Sequence, residues 1–408
     1  IIVFGFYFIV KSTNSLFYNN AGSKRSDTAN IVAVADAPPK DSSTKENVSE
    51  VLPNNLANQP LVVKGVYATT WSAASNSYLL YLDQLFKETQ INTVVVDVKD
   101  SSGIVFYATE AQKVKEYKNY RTDLVDINNL VQHFHDQGIY VIARISVFND
   151  SALVKDRPDL ALSSKSKSPV HNASQGDAGG EGQPNPVLWQ NSSGLNWLDP
   201  ASQEVWDYNI EIAKDLVLHG FDEINFDYVR FPSDGNLQDA VYPVFDAAME
   251  RRVVIKDFFK KVRESLPNAN ISIDLLGQTT TTTVGDMGVG QVFEDAFDYF
   301  DYVCPMVYPS HYVEGFMGFE NPAEHPYEIV HNALLSAVAR RSAYQKENPS
   351  KKLAKIRPWL QDFDVGADYN AHLVGQEIKA VQDAMGEDFN GFMLWNPSNF
   401  YTVQAIKK

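Results

Sequence analysis

Two carboxylates that sit late in apolar, alternating runs are the residues of this chain best placed for acid–base chemistry. In Glu223-Ile-Asn225-Phe-Asp227-Tyr-Val-Arg230, side chains alternate along a strand, so Glu223, Asn225 and Asp227 share one face and Ile224, Phe226 and Tyr228 the other. The run Asn270-Ile-Ser272-Ile-Asp274-Leu repeats the pattern and puts Ser272 and Asp274 on its polar face. A carboxylate on such a face is costly to bury unless a partner, water or a substrate uses it, which makes Asp227 the first catalytic candidate. Its structural alternative is a stabilising ion pair with Arg144 or Arg230.

Adjacent strands lie roughly 4.8 Å apart, so Asp227 and Asp274 could approach the ~5–5.5 Å separation of a retaining glycosidase pair if their levels match. One carboxyl group then acts as nucleophile or base and the other as acid. Asp274, with Leu275, Leu276 and Met306 as apolar surroundings, is the first candidate for the acid, and Asp100 or Asp362 the next. A charged rim of Asp97, Lys99, Asp100 and Arg144 follows from two further runs, with mutual neutralisation of Asp97, Lys99 and Arg144 as the alternative to substrate binding. Tyr308, Trp359, Gln361 and Trp395 recur at the ends of later runs and join Asn225 and Arg230 as candidate substrate contacts: aromatic faces suit sugar rings, amides suit hydroxyl groups.

Positioning these groups requires a scaffold that brings many strand ends together. Eight short β-rich runs can be read: Val63 to Thr69, Thr93 to Asp100, Tyr140 to Phe148, Glu223 to Phe231, Asn270 to Gly277, Tyr302 to Tyr308, Lys355 to Gln361 and Gly391 to Asn396. Helix-like stretches lie between them at Tyr78 to Thr89, Asp126 to Gln137, Ala201 to His219, Val244 to Ser265, Tyr327 to Lys346 and Gly375 to Met385. Eight strand–helix units predict an α/β fold, a closed (β/α)8 barrel with its site at the carboxyl ends of the strands. A long insertion, Asn149 to Trp197, follows the third strand; it carries Gly179-Gly180 and Pro184 between Trp-bearing ends and reads as a lid or substrate-binding excursion.

The organisation expected is an apolar signal or anchor segment over 1–18, a flexible Ser/Asn/Pro-rich linker over 19–60 and the barrel over 61–408. Export to the cell surface or the extracellular space follows from that leader, with membrane contact only through it. A formal charge of −16 without a basic cluster argues against nucleic acid as a partner. The single cysteine, Cys304, excludes an internal disulfide and any multi-cysteine metal site, and reads as a buried thiol.

The phrase Gly220-Phe-Asp-Glu-Ile-Asn-Phe-Asp227-Tyr-Val-Arg230-Phe-Pro232 resembles the bacterial glycoside hydrolase-like family DUF4015. Lys64-Gly-Val-Tyr67, Val95-Val-Asp97-Val-Lys99-Asp100, Trp197-Leu-Asp-Pro200 and Met306-Val-Tyr308-Pro are similar to it as well, and the likeness runs from about Leu61 to the end. The resemblance implies a TIM barrel of the glycoside-hydrolase type with Asp227 as the catalytic carboxylate. A fainter likeness to chitinase-type barrels lacks their strand-four glutamate, since Val229 stands in that place, so a substrate-assisted mechanism does not carry over. The leading expectation is a glycosidase acting on a carbohydrate, without cofactor or metal. The alternatives are a non-catalytic carbohydrate-binding barrel and a metal-dependent hydrolase using Asp97, Asp100, Asp227 and His311.

Overall fold

The computed structural model describes residues 56–168 and 186–408. The expected leader, most of the linker and the Gly/Ser-rich middle of the insertion lie outside the described residues. The last linker residues reach the barrel: the Leu56 amide donates to Asp222 at 2.7 Å, and Asn270 donates to Gln59 at 3.2 Å.

Eight parallel strands form the ring: β1 (Val63–Thr69), β2 (Thr93–Lys99), β3 (Tyr140–Ser146), β4 (Glu223–Asp227), β5 (Ile271–Leu276), β6 (Tyr302–Met306), β7 (Lys355–Ile356 and Trp359–Gln361) and β8 (Gly391–Trp395). Each pairs with the next, and β8 returns to β1 with Gly391 opposite Val63 and Leu394 opposite Val66, which closes the barrel. The TIM-barrel expectation therefore holds. β7 is split at Arg357-Pro358, where proline offers no ladder donor.

The long helices are α1 (Asn76–Glu88), α2 (Ile127–His135), α3 (Gln203–Leu218), α4 (Arg251–Ser265), α5 (Pro326–Glu347) and α6 (Ala371–Met385). Polar side chains start several of them: Asp126 accepts from the amides of Asn128 and Asn129, and Asn370 from those of His372 and Leu373. Eight complete strand–helix units are not realised. Among the described residues only 3-10 turns, Gly277–Thr280 and Phe293–Ala296, connect β5 to β6, with Phe293, Phe297 and Phe300 buried there, and only a 3-10 turn, Val403–Ala405, follows β8. α4 also begins at Arg251 rather than Val244, because Val244 and Phe245 give their amides to Asp199. No helix among the described residues is long and apolar enough to cross a membrane.

Strand alternation divides the core. Outward residues such as Val94, Val96, Ala143, Ile145, Ile224, Phe226, Ile271 and Ile273 pack with the helices in one continuous apolar layer. The ring encloses a smaller cluster including Tyr67, Val95, Ile142, Cys304, Trp359 and Met393, on which Leu56 packs. Deeper in the ring, Glu223 and Arg357 form an ion pair with no exposed side-chain surface. The buried Cys304 thiol is pushed well up by desolvation.

The seam between β8 and β1 depends on the absence of a side chain at Gly391, which has φ of 105°; a Cβ there would stand 1.7 Å from the Val63 carbonyl oxygen. Gly391→Ala is expected to lower stability by about 2 kcal/mol or more, read as a fall in the urea midpoint with a normal slope.

Candidate active site

A cavity of about 580 Å³ opens at the carboxyl ends of the strands. Its wall includes Tyr67 of β1, Asp97 of β2, Arg144 of β3, Asp227 of β4, Asp274 of β5, Met306 of β6, Trp359 of β7 and Trp395 of β8, so every strand contributes.

One guanidinium organises the floor. Arg144 places Nη1 2.8 Å from Asp97 Oδ2, Nη2 in a short contact with Asp227 Oδ2, and Nε 3.8 Å from Asp274 Oδ2. Strand register explains the gathering: Asp97 lies opposite Arg144, and Arg144 opposite Asn225, two residues before Asp227. Asn225 and Ser272 are partners, as are Phe226 and Ile273, which puts Asp227 and Asp274 at one level on neighbouring strands.

The carboxyl groups differ in their surroundings. The other oxygen of Asp227 accepts the amide of Tyr228 at 2.5 Å, and Tyr228 holds a left-handed φ of 54°, a strained backbone for an aromatic residue beside the cavity. Asp274 takes hydrogen bonds on Oδ1 from Trp359 Nε1 at 2.8 Å and Asn225 at 2.9 Å. Burial first, and then the charge of Asp227, push its pKa well above the ordinary carboxylate range. Asp97 is raised to about 6, chiefly by burial, although Arg144 opposes the shift and the Tyr67 hydroxyl donates to it at 2.8 Å. Aromatic rings frame the group: Tyr67 stacks on Trp395 at 3.9 Å, Trp395 meets Trp359 edge-on at 5.7 Å, and Arg144 lies 5.1 Å from the Trp395 ring.

Of the sequence candidates, Asp227, Asp274, Asp97, Asp100, Arg144, Arg230, Tyr308, Trp359 and Trp395 all line this cavity. Three do not. Lys99 is turned away by a bulge between Asp97 and Lys99 that brings it opposite Ile145, and it pairs with Asp150 at 2.8 Å in a fully buried contact. Only Asp97 and Arg144 of the expected neutralising trio therefore meet. Asn225 acts beneath Asp274 as a donor, and Gln361 bonds the Ser310 amide and the Phe363 carbonyl. Asp362, a further acid candidate, receives the Thr402 amide and hydroxyl and anchors the C-terminal segment.

Tyr67, Tyr228, Asp234 and the insertion residues Asn191, Ser193 and Leu195 also line the cavity and were not singled out as site residues; His311, named only for the metal-dependent alternative, lines it too. Tyr67 had a visible signal, since period two along β1 puts it on the same face as Gly65. The loop residues follow no period that would reveal them. Trp189 and Trp197 are buried anchors: their indole nitrogens donate to the carbonyls of Asn236 and Arg230 at 2.9 and 3.3 Å. Among the described residues no group of three or more His, Cys, Asp or Glu side chains is arranged to hold a metal ion. Arg144 supplies a positive charge between Asp97 and Asp227.

Comparison with known proteins agrees with this architecture. The family DUF4015, "Putative glycosyl hydrolase domain", matches residues 65–401, in line with the resemblance carried by the strand-four phrase. The glycoside hydrolase domain of PgaB (BpsB) from Bordetella bronchiseptica aligns at a TM-score of 0.54 with 14% identity, covering 83% of this chain and 95% of that one. An α-L-fucosidase from Paenibacillus thiaminolyticus aligns at 0.51 with 11% identity over 84% of this chain and 48% of that one. At such identities both show the shared fold alone. A hypothetical protein from Ruminiclostridium thermocellum is 33% identical over 51% of this chain and 96% of its own, with a TM-score of 0.43. The curated proteins give no match.

Removing the guanidinium tests the organisation of the floor. Arg144→Gln leaves three buried carboxyl groups without their cation and is expected to cost about 3–5 kcal/mol near neutral pH. Carboxyl groups whose folded pKa lies above the unfolded value contribute stability at low pH that is lost as pH rises through the folded value. With Asp97 already at about 6 and Asp274 raised, the deficit in urea unfolding is expected to be larger at pH 8 than at pH 4.5.

Proposed function

The chain belongs to the DUF4015 family, and from that premise we propose that it is a glycoside hydrolase that cleaves a polysaccharide with Asp227 and Asp274 as its working carboxyl groups. One observation carries the reading: two carboxyl groups on adjacent strands stand at one level in an aromatic-walled cavity, with different partners. Asp227 is paired with a guanidinium and Asp274 is buried with its pKa raised, and such unlike settings divide the roles of nucleophile and acid.

In this reading Asp227, oriented by Arg144 and the Tyr228 amide, attacks the anomeric carbon. Asp274 gives its proton to the departing glycosidic oxygen, which breaks the C–O bond and leaves a glycosyl ester on Asp227. Asp274, now a carboxylate, takes a proton from the water that hydrolyses the ester. Neighbouring strands are roughly 4.8 Å apart, which favours this retaining course over the ~6.5–9.5 Å arrangement of inverting enzymes. Tyr67, Trp359, Trp395 and Tyr308 offer faces for the sugar, while Asp97 and Arg144 hold the nucleophile. The 580 Å³ cavity falls in the range of small-ligand sites. The substrate is proposed to be an extracellular polysaccharide, with the chain acting outside the cell or at its surface.

The ion pair of Asp227 with Arg144 favours a second reading, a barrel that binds carbohydrate without cleaving it. A screen of bacterial polysaccharides for reducing ends separates the two. Asp227→Asn is expected to lower kcat by at least about 100-fold with binding retained, and equal cleavage by wild type and variant would remove Asp227 from the chemistry. The first product seen by proton NMR is expected to keep the anomeric configuration of the substrate.

The pH profile follows from the role of Asp274. An acid works in its protonated form, so kcat/KM is expected to fall as pH rises through the raised pKa of Asp274. That alkaline limb is expected to lie above the ordinary carboxylate range and to be absent from the residual activity of Asp274→Asn.

A further inference from the structure

Arg230 is the second cation in the cavity wall, and unlike Arg144 it has no carboxylate partner at ion-pair distance among the described residues. Only 8% of its surface is exposed. Its guanidinium lies against two rings that meet edge-on, 5.1 Å from the centre of Trp197 and 5.4 Å from that of Tyr228. Nη1 is occupied, donating to the Phe231 carbonyl at 3.2 Å and to Ser233 Oγ at 2.9 Å. Among the described residues Nε and Nη2 have no hydrogen-bond partner, and neither is sealed away from the cavity.

A buried charge without a counter-ion is costly, and desolvation pulls the Arg230 pKa below its ordinary value, with Asp227 and Asp234 only partly opposing it. Two parallel N–H groups on one edge of a guanidinium match the two oxygens of a carboxylate. The contact with these rings and the two hydrogen bonds of Nη1 hold the fork in place, so it loses little freedom on binding.

We propose that the open Nε–Nη2 edge of Arg230 is a carboxylate-binding subsite, so that the polysaccharide held beside Asp227 contains an acidic sugar, a uronic acid. Asp97, Asp100, Asp227 and Asp234 line the rest of the cavity and repel an anion, which confines the sugar carboxylate to the Arg230 position and fixes the register of the chain. Trp197 comes from the insertion after β3 and Tyr228 follows the strained end of β4, so the subsite and the Asp227 carboxylate share their supports. The inference rests on the hydrolase reading only for what happens next to the bound uronate; the binding step stands apart from it.

The test uses the full chain carrying Asp227→Asn, which holds substrate without turnover. Its affinity is measured by calorimetry for trimers of galacturonate, glucuronate and mannuronate and for the same trimers with their carboxyl groups reduced to alcohols. At least one uronate trimer is expected to bind about 10- to 100-fold more tightly than its reduced counterpart. Adding Arg230→Gln is expected to bring that ratio close to one, and Arg230→Lys, which keeps the charge but not the fork, to an intermediate value. Equal affinity for every acid and alcohol pair, or a preference that survives Arg230→Gln, overturns the proposal. The preference is read first on protein with Arg230 intact, so a variant that fails to fold does not remove the test. Uronate binding without cleavage by the wild-type chain would sink the hydrolase reading and leave the subsite standing.

Discussion

The structure turns on one buried guanidinium. Arg144 stands within reach of Asp97, Asp227 and Asp274 where water is largely excluded. None of the three carboxyl groups could be held there as an isolated ion, and the arginine could not be held without them. Strand register makes the meeting possible, since β2, β3, β4 and β5 present these side chains at one level. The meeting sets the electrostatics: Asp97 and Asp274 are pushed up by burial, while the cation restrains both shifts.

The barrel keeps this arrangement rigid by confining polar groups to separate levels of its interior. Deep in the ring, Glu223 and Arg357 neutralise each other out of contact with water. Cys304, Met393, Val95 and Ile142 fill the space inside with apolar atoms. Trp359 links the levels, packing in that inner cluster while its indole nitrogen donates to Asp274. Outside, a continuous aliphatic and aromatic layer joins strands to helices and supplies most of the buried apolar surface. Phe293, Phe297 and Phe300 complete that layer in the connection between β5 and β6, where among the described residues 3-10 turns replace a long helix.

Loops complete what the strands begin. The insertion after β3 contributes Asn191, Ser193 and Leu195 to the cavity wall and is tied down by Trp189 and Trp197. Its short strand Ser163–Ser164 pairs with Ala240–Val241 of the segment after β4, joining the two excursions. Strain gathers at the same place, in the left-handed Tyr228 that directly follows Asp227. A carboxylate with two fixed partners and a backbone held off its preferred conformation is set for orientation rather than for stability.

Period-two alternation was enough to show from the chain alone that Asp227, Asp274, Asp97 and Arg144 share inward faces, and eight such runs with helical stretches between them sufficed for the closed barrel. Both are local properties, written in the spacing of apolar residues. The fate of Lys99 was not local: a single bulge after Asp97, set by pairing with β3, sent it to Asp150. Gln361 and Asp362 were likewise claimed by neighbouring loops that no strand pattern foretells. Only tertiary structure decided that one arginine would serve three carboxylates while another, Arg230, kept an open edge. Those outcomes depend on register between strands far apart in the chain and on which side chains reach the same few ångströms of space.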